Sequence, residues 1–211
     1  MSAVLFELDG TLLDLPVDIE PARREVERLL EEAGQGGPAR PLLAAIDRAG
    51  DPELRAAARR ILDAAELAAA GRARARPGAA AAVAALAQRG FRLGIVTDNG
   101  RACLAAALSA AGLEGGWHAV TRDDVERPKP APDGVISAAR ALCPAGGALW
   151  FAGDSPRDVI AGRAAAAQLP EIRLQVVAVL GGHGGEEEIA RAAPDHVVPD
   201  LEAFAALVCA R

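Results

Sequence analysis

The sequence has few aromatic residues, few cysteines and no long hydrophobic segment. Only 3% of its 211 residues are aromatic and none is tyrosine, so a core has to be built from Ala, Leu, Val and Ile. Cys103, Cys143 and Cys209 are far apart and form no Cys-x-x-Cys pair. That spacing excludes a disulfide framework and favours buried thiols in a reducing compartment. No run approaches the roughly 18 apolar residues of a membrane span, and no signal-peptide pattern is present. We therefore predict a cytoplasmic protein with no membrane partner.

The sequence also lacks an excess of positive charge. Its 23 Lys and Arg residues are outnumbered by 29 Asp and Glu residues, which gives a formal net charge of -6. Because binding to a phosphate backbone requires a basic surface, this balance argues against a nucleic acid partner. The basic segment 72–76 is an exception, and we interpret it as a solvated helix end or a linker.

The spacing of apolar residues divides the chain into two parts. Between Leu15 and Pro77 the pattern is helical and gives no strand signal. The predicted helices of this part cover 18–33, 41–49 and 52–70. After Pro77, helix and strand patterns alternate, which predicts βαβ units and a parallel sheet. The sequence therefore predicts an α/β core domain, 1–14 and 77–211, with a small all-helical domain, 15–76, inserted after the first strand.

The segment 4–13 combines a strand pattern with two carboxylates. Residues i and i+2 of a strand share a face, so Glu7 and Asp9 are expected to point the same way at its carboxyl end. Gly10 then allows a sharp turn. Two adjacent carboxylates suit a divalent cation, or a nucleophile beside an acid or base.

Further polar residues occur where other predicted strands end. They are Thr97, Asp98 and Asn99 after one strand, Lys129 in a proline-rich loop, and Asp154 and Asp158 after another strand. Each alone has an ordinary explanation as a turn residue, a solvated lysine or a helix cap. Since ligands of open parallel sheets bind beyond the carboxyl ends of the strands, their joint occurrence favours one common site.

These motifs resemble those of the haloacid dehalogenase-like (HAD) phosphatases, whose first motif reads Asp-x-Asp-Gly-Thr. The resemblance spans essentially the whole chain. It implies a Rossmann-like parallel sheet flanked by helices, with the helical insert as a small cap like that of the phosphoglycolate phosphatase-like branch. It also implies Mg²⁺ as the cofactor and a small phosphorylated metabolite as the substrate.

The resemblance assigns a role to each position. Glu7 takes the place of the nucleophile and Asp9 that of the general acid and base. Thr97 and Lys129 would contact the transferred phosphoryl group and complete the catalytic set. The implied substrate-binding residues are Gly10, Thr97, Asp98, Asn99 and Lys129, and the implied Mg²⁺ ligands are Glu7, Asp9, Asp154 and Asp158. Because an alkoxide leaving group needs an acid and a halide does not, Asp9 favours phosphate esters over carbon–halogen bonds.

The chain departs from the family pattern at the nucleophile, where it has Glu7 instead of Asp. The additional methylene moves the carboxylate by roughly 1 Å, and such a misplacement can slow in-line attack by about 100-fold. Three interpretations remain. The chain is a working phosphatase, slow or with a backbone set back to accommodate Glu7, or it is a weakened or inactive member that binds a phosphorylated ligand or a protein partner. The third is an engineered or sequence-level change in an ordinary phosphatase. The other retained motif residues favour a hydrolase.

The glycine-rich segment Gly181–Gly185 contains His183 and follows a predicted strand. It could lie at the rim of the site with His183 toward the substrate. We prefer the interpretation that it is a flexible loop whose histidine faces water. The sequence leaves the oligomeric state and the identity of the substrate open.

Overall fold

The computed structural model describes residues 2–210. The strands are β1 (Ser2–Phe6), β2 (Leu13–Asp14), β3 (Arg74–Ala75), β4 (Arg92–Val96), β5 (His118–Val120), β6 (Gly147–Gly153), β7 (Ile172–Val179) and β8 (His196–Val198). The helices are α1 (Ile19–Glu32), α2 (Leu42–Arg48), α3 (Pro52–Ala70), α4 (Ala79–Gln88), α5 (Arg101–Ala110), α6 (Asp133–Leu142), α7 (Pro156–Ala166), α8 (Glu186–Arg191) and α9 (Leu201–Cys209).

Six strands form a parallel sheet in the order β5-β4-β1-β6-β7-β8. Alternate residues of the central strand β1 face opposite sides, as the pleat of a strand requires. Val4 and Phe6 pack with α4, α5 and α9, whereas Ala3 and Leu5 pack with α6 and α7. The predicted α/β fold, a parallel sheet with helices on both faces, is confirmed.

Helices α1 to α3 have a hydrophobic cluster of their own, which includes Val26, Ile46 and Leu62. This separate cluster supports the proposed division into a core of 1–14 and 77–211 and a cap of 15–76. Among residues 2–210, no helix has both the length and the apolar character that crossing a membrane requires.

The two segments that connect the core with the cap are β2 and β3. They form an antiparallel pair, in which Leu13 lies opposite Ala75 and Asp14 opposite Arg74. The prediction of no strand between Leu15 and Pro77 was therefore wrong at Arg74–Ala75, which form a short strand within the segment 72–76 that links the cap to the core. A strand of two residues is too short to show an alternating pattern, and its partner is distant in the sequence.

The carboxyl ends of the central strands lie side by side. Phe6, the last residue of β1, is paired with Ile95 of β4 and Ala152 of β6. The residues that follow these three strands therefore emerge at one edge of the sheet. They include Glu7, Thr97 and Asp154.

Candidate active site

A buried ion cluster lies at this edge of the sheet. The Lys129 Nζ is 3.1 Å from Glu7 Oε1 and 2.6 Å from Asp158 Oδ1. The exposed fractions of the three residues are 6% for Lys129, 6% for Glu7 and 1% for Asp158. Lys129 is also the only lysine in the chain, a signal that our sequence analysis did not use. The predicted nucleophile and the predicted phosphate-binding lysine are thus in direct contact.

Burial and charge shift the ionisation of both partners in this cluster. Burial raises the pKa of Glu7 well above its usual range, and the charges of Asp158, Asp154 and Asp9 raise it further, against the opposing effect of Lys129. Burial alone would lower the pKa of Lys129, but the carboxylates of Asp158 and Glu7 outweigh it and raise that pKa. The amine therefore stays charged, and the negative charge around Glu7 favours an additional cation.

Asp158 is positioned by the start of helix α7. Ser155 is the N-cap, and its hydroxyl lies 2.6 Å from Asp158 Oδ2, which also accepts a hydrogen bond from the Ser155 backbone N at 3.0 Å. In return, the Asp158 backbone N donates to the Ser155 hydroxyl oxygen at 3.4 Å, which completes a capping box. With Oδ1 on Lys129 and Oδ2 on Ser155, both oxygens of Asp158 are engaged. This arrangement suits a role in orienting Lys129 better than the direct Mg²⁺ ligation that the resemblance implies.

The residues after β4 surround the same cluster. The Thr97 hydroxyl lies 3.1 Å from Glu7 Oε1 and 2.9 Å from Asn99 Oδ1, and it is buried. Asp98 accepts a hydrogen bond from the Lys129 backbone N at 3.1 Å and pairs with Arg157 at 2.9 Å. Thr97 is thus placed beside the nucleophile, while Asp98 holds the loop that carries Lys129.

The charges of Asp9 and Asp154 also act on Glu7. Asp9 accepts a hydrogen bond from the Leu15 backbone N at 2.9 Å, and its second oxygen is 3.3 Å from Nε2 of His183. Asp154 accepts hydrogen bonds from the Thr11 hydroxyl and from the His183 backbone N, both at 2.7 Å. Both carboxylates are therefore oriented by hydrogen bonds from the protein itself.

The glycine-rich loop packs closely around Asp154. A Cβ atom at Gly182 would lie 2.3 Å from Asp154 Oδ2, so only glycine allows this approach. A Cβ atom at Gly10 would lie 2.4 Å from the same oxygen, and Gly10 has φ +88°, which a residue with a side chain rarely adopts. Our preference for a loop whose histidine only faces water was wrong, because His183 contacts Asp9 and lines the site. The contact depends on tertiary structure that the glycine pattern alone does not specify.

We expect His183 to titrate at a higher pH than a free histidine. Its hydrogen bond with Asp9, together with the charges of Asp9 and Asp154, raises its pKa against the effect of burial. The pair of protonated His183 with Asp9 adds to the free energy of unfolding below the pKa of a free histidine. This contribution is lost as the pH rises through the raised pKa of His183. NMR titration of the metal-free protein should show a lower His183 pKa in Asp9→Asn. His183→Gln assigns the signal, and an unchanged titration in Asp9→Asn would contradict the pairing.

A cavity of about 330 Å³ lies between the core and the cap. The predicted site residues that line it are Glu7, Asp9, Asp98, Asn99, Lys129, Asp154 and Asp158. Thr97 reaches the site through its contact with Glu7, and Gly10 through its approach to Asp154. The sequence analysis missed four polar residues of the lining, which are Glu66, Arg122, Ser155 and Arg157.

Arg122 connects the cap to the core. It is 1% exposed, lies 2.6 Å from Glu66 Oε1, also pairs with Asp63, and donates a hydrogen bond to the Asp98 carbonyl at 2.7 Å. Glu66 in turn accepts a hydrogen bond from the Gly100 backbone N. No motif marks Arg122 in the sequence, because its partners lie on a cap helix far away along the chain.

The donor set fits a hard divalent cation. Glu7 Oε2 is buried and has no hydrogen-bond partner in the described part of the chain. Burial and the charge of Asp158 raise the pKa of Asp154, so an added positive charge would be favourable there too. Within 2–210 no three His, Cys, Asp or Glu side chains form a ready cage for a metal. Mg²⁺ needs no such cage, since it commonly binds one or two carboxylates, waters and a substrate phosphate.

Comparison with known proteins places similar sequences in one family. Residues 1–166 match the family described as haloacid dehalogenase-like hydrolase. A phosphoglycolate phosphatase of Cupriavidus necator is 33% identical over 229 residues, covering 98% of this chain and 93% of that protein. A pyrophosphatase of Bacillus pumilus is 31% identical over 124 residues, covering 58% of this chain and 54% of that protein.

A solved structure has a similar fold over the whole length of this chain. It is that of a hydrolase from Pseudomonas syringae, with a TM-score of 0.71 and 21% identity, covering 100% of this chain and 99% of that one. The likeness therefore includes the helices of the cap as well as the parallel sheet.

Proposed function

Since the chain belongs to the haloacid dehalogenase-like hydrolase family, we propose that it is a Mg²⁺-dependent phosphatase that hydrolyses a small phosphorylated metabolite with Glu7 as nucleophile. Its classification as a HAD-type phosphohydrolase follows from the family match and the similar phosphatases. The observation that carries the finer proposal is the contact of Glu7 with Lys129 beneath a cavity that also contains Asp9. A cytoplasmic location remains a prediction from the cysteine pattern.

The proposed reaction has two steps. In the first, Glu7 attacks phosphorus, an acyl phosphate forms on its carboxylate, and the bond from phosphorus to the ester oxygen breaks. Asp9 gives a proton to the departing alkoxide. In the second, Asp9 takes a proton from water as the water oxygen attacks phosphorus. The bond from phosphorus to the Glu7 carboxylate oxygen breaks, so phosphate leaves and Glu7 is regenerated. Dividing the hydrolysis in this way replaces one difficult step by two easier ones.

Charge stabilisation comes from groups already in place. The charged amine of Lys129 and the hydroxyl of Thr97 both adjoin the Glu7 carboxylate, where the phosphoryl oxygens arrive. Such preorganised donors provide most of the stabilisation in phosphoryl transfer. Mg²⁺, when bound by Glu7 and Asp154, would neutralise charge on the phosphoryl oxygens.

Steady-state release of phosphate from a panel of small phosphate monoesters tests this function. We expect turnover with Mg²⁺ and its loss with a chelator. If no monoester is hydrolysed although inorganic phosphate still raises the melting temperature, the protein is an inactive member of the family that binds phosphorylated ligands.

We also expect Mg²⁺ to raise the melting temperature of the parent protein, because a ligand that binds only the native state stabilises it. Asp154→Asn removes one charge at nearly constant size and should abolish this increase. Glu114→Gln, a change at an exposed carboxylate that does not line the cavity, is the matched control and should retain it. An equal Mg²⁺ response in Asp154→Asn and the parent would place the ion elsewhere.

A further inference from the structure

The cationic side chains that line the cavity are already paired with carboxylates of the protein. The pairs are Lys129 with Glu7 and Asp158, Arg122 with Asp63 and Glu66, Arg157 with Asp98, and His183 with Asp9. Lys129 still faces the position of the phosphoryl group beside Glu7. Arg122, Arg157 and His183 are each paired with a carboxylate of the protein. Nε of Arg122 has no hydrogen-bond partner among the described residues, but this atom is itself buried. The described lining therefore presents no cation without a carboxylate partner to a second anionic group.

The cap side of the cavity is mainly aliphatic. Its apolar residues are Ile19, Leu42, Leu43 and Leu62, and its one charged residue is Glu66. Both oxygens of Glu66 are engaged, one with Arg122 and the other with the Gly100 backbone N. We call the four aliphatic residues the roof. A substrate group that reaches the roof meets hydrocarbon and finds no free partner for a charge.

We infer that the substrate is a phosphate monoester whose organic part is uncharged and apolar, with that part against the roof. The inference rests on the proposed phosphatase function and adds the substrate class. A carboxylate or second phosphate placed there would lose its hydration without gaining a counter-ion, which is strongly unfavourable. An alkyl or aryl group would instead be transferred from water to an apolar surface.

The proposed substrates differ from the compounds in the names of the relatives, phosphoglycolate and pyrophosphate. Phosphoglycolate carries a carboxylate beside its phosphate, and pyrophosphate carries a second phosphoryl group. Each would bring additional negative charge to a cavity that already contains six carboxylates, which are Glu7, Asp9, Glu66, Asp98, Asp154 and Asp158. On charge alone, neither compound fits this site as well as a neutral alkyl ester.

A pair of isosteric substrates provides the test. Isobutyl phosphate replaces the carboxylate of phosphoglycolate by an isopropyl group of similar shape. With Mg²⁺ present, we expect kcat/KM for isobutyl phosphate to exceed that for phosphoglycolate at least about tenfold, the size of effect expected when a buried charge lacks a partner. Equal or higher kcat/KM for phosphoglycolate or pyrophosphate would overturn the inference.

A binding measurement separates this inference from the phosphatase proposal. Calorimetry with 3-methylbutylphosphonate and 3-phosphonopropionate compares the same two groups on phosphonates that cannot be hydrolysed. If no ester is turned over but the alkyl compound binds more tightly, the phosphatase proposal fails and the apolar subsite is supported. Tighter or equal binding of 3-phosphonopropionate, or binding of neither compound, overturns the subsite.

Leu43→Arg places a cation on the roof. Because Leu43 is only partly buried, the longer side chain can be accommodated. We expect the ratio of kcat/KM for phosphoglycolate over isobutyl phosphate to rise about tenfold relative to the control variant Leu43→Gln, which adds polarity without charge. The same ratio in both variants would show that the organic group does not contact Leu43 and would contradict the assignment.

Discussion

Glu7→Asp is expected to raise phosphatase turnover, by up to about 100-fold if the added methylene is what misplaces the nucleophile. In the parent, Glu7 Oε1 contacts Lys129 and Thr97, whereas Oε2 is buried without a partner among the described residues. The Asp side chain has one rotatable bond fewer and is shorter by one methylene. It therefore returns the carboxylate to the position that the family pattern implies for in-line attack on phosphorus. Single-turnover and steady-state phosphate release with the same ester measure the change.

Glu7→Gln is the matched control for the nucleophile. The amide has nearly the same size but cannot form an acyl phosphate, so turnover should disappear while inorganic phosphate still raises the melting temperature. A lower rate in Glu7→Asp than in the parent would show that the backbone is adapted to glutamate. That result would make the protein a hydrolase that depends on Glu7 itself.

Lys129→Met is expected to lower turnover by about 100- to 1,000-fold, because it removes a charged donor next to the reacting carboxylate. It should also lower the free energy of unfolding by about 3–5 kcal/mol, since it leaves Asp158 and Glu7 buried without their counter-ion. Phosphate release measures the first effect, and urea unfolding measures the second.

The double variant Lys129→Met/Asp158→Asn separates these two effects. Removing one carboxylate with the lysine should restore part of the stability, since less uncompensated charge is buried. Turnover should remain as low as in Lys129→Met. Recovery of activity together with stability would mean that Lys129 acts only by holding the fold and not on the phosphoryl group.

The sequence by itself determined the α/β architecture and the edge where the site lies. Buried strands and amphipathic helices alternate after Pro77, and such local patterns depend only on periods of two and about 3.6 residues. The positions of Glu7, Thr97 and Asp154 follow from the same logic, because each comes directly after a strand of a parallel sheet, and Asp9 lies two residues beyond Glu7. The nucleophile position and its departure from the family pattern are visible in the sequence alone.

Tertiary structure decided which partner each charged group takes. Nothing local joins Lys129 to Asp158, His183 to Asp9, or Arg122 to Glu66, and each pair connects segments far apart in the chain. The strand Arg74–Ala75 has the same origin, since it exists only because Leu13–Asp14 lies opposite it. Ion pairs and two-residue strands have no sequence period, so their formation depends on how the packed helices and sheet bring distant residues together.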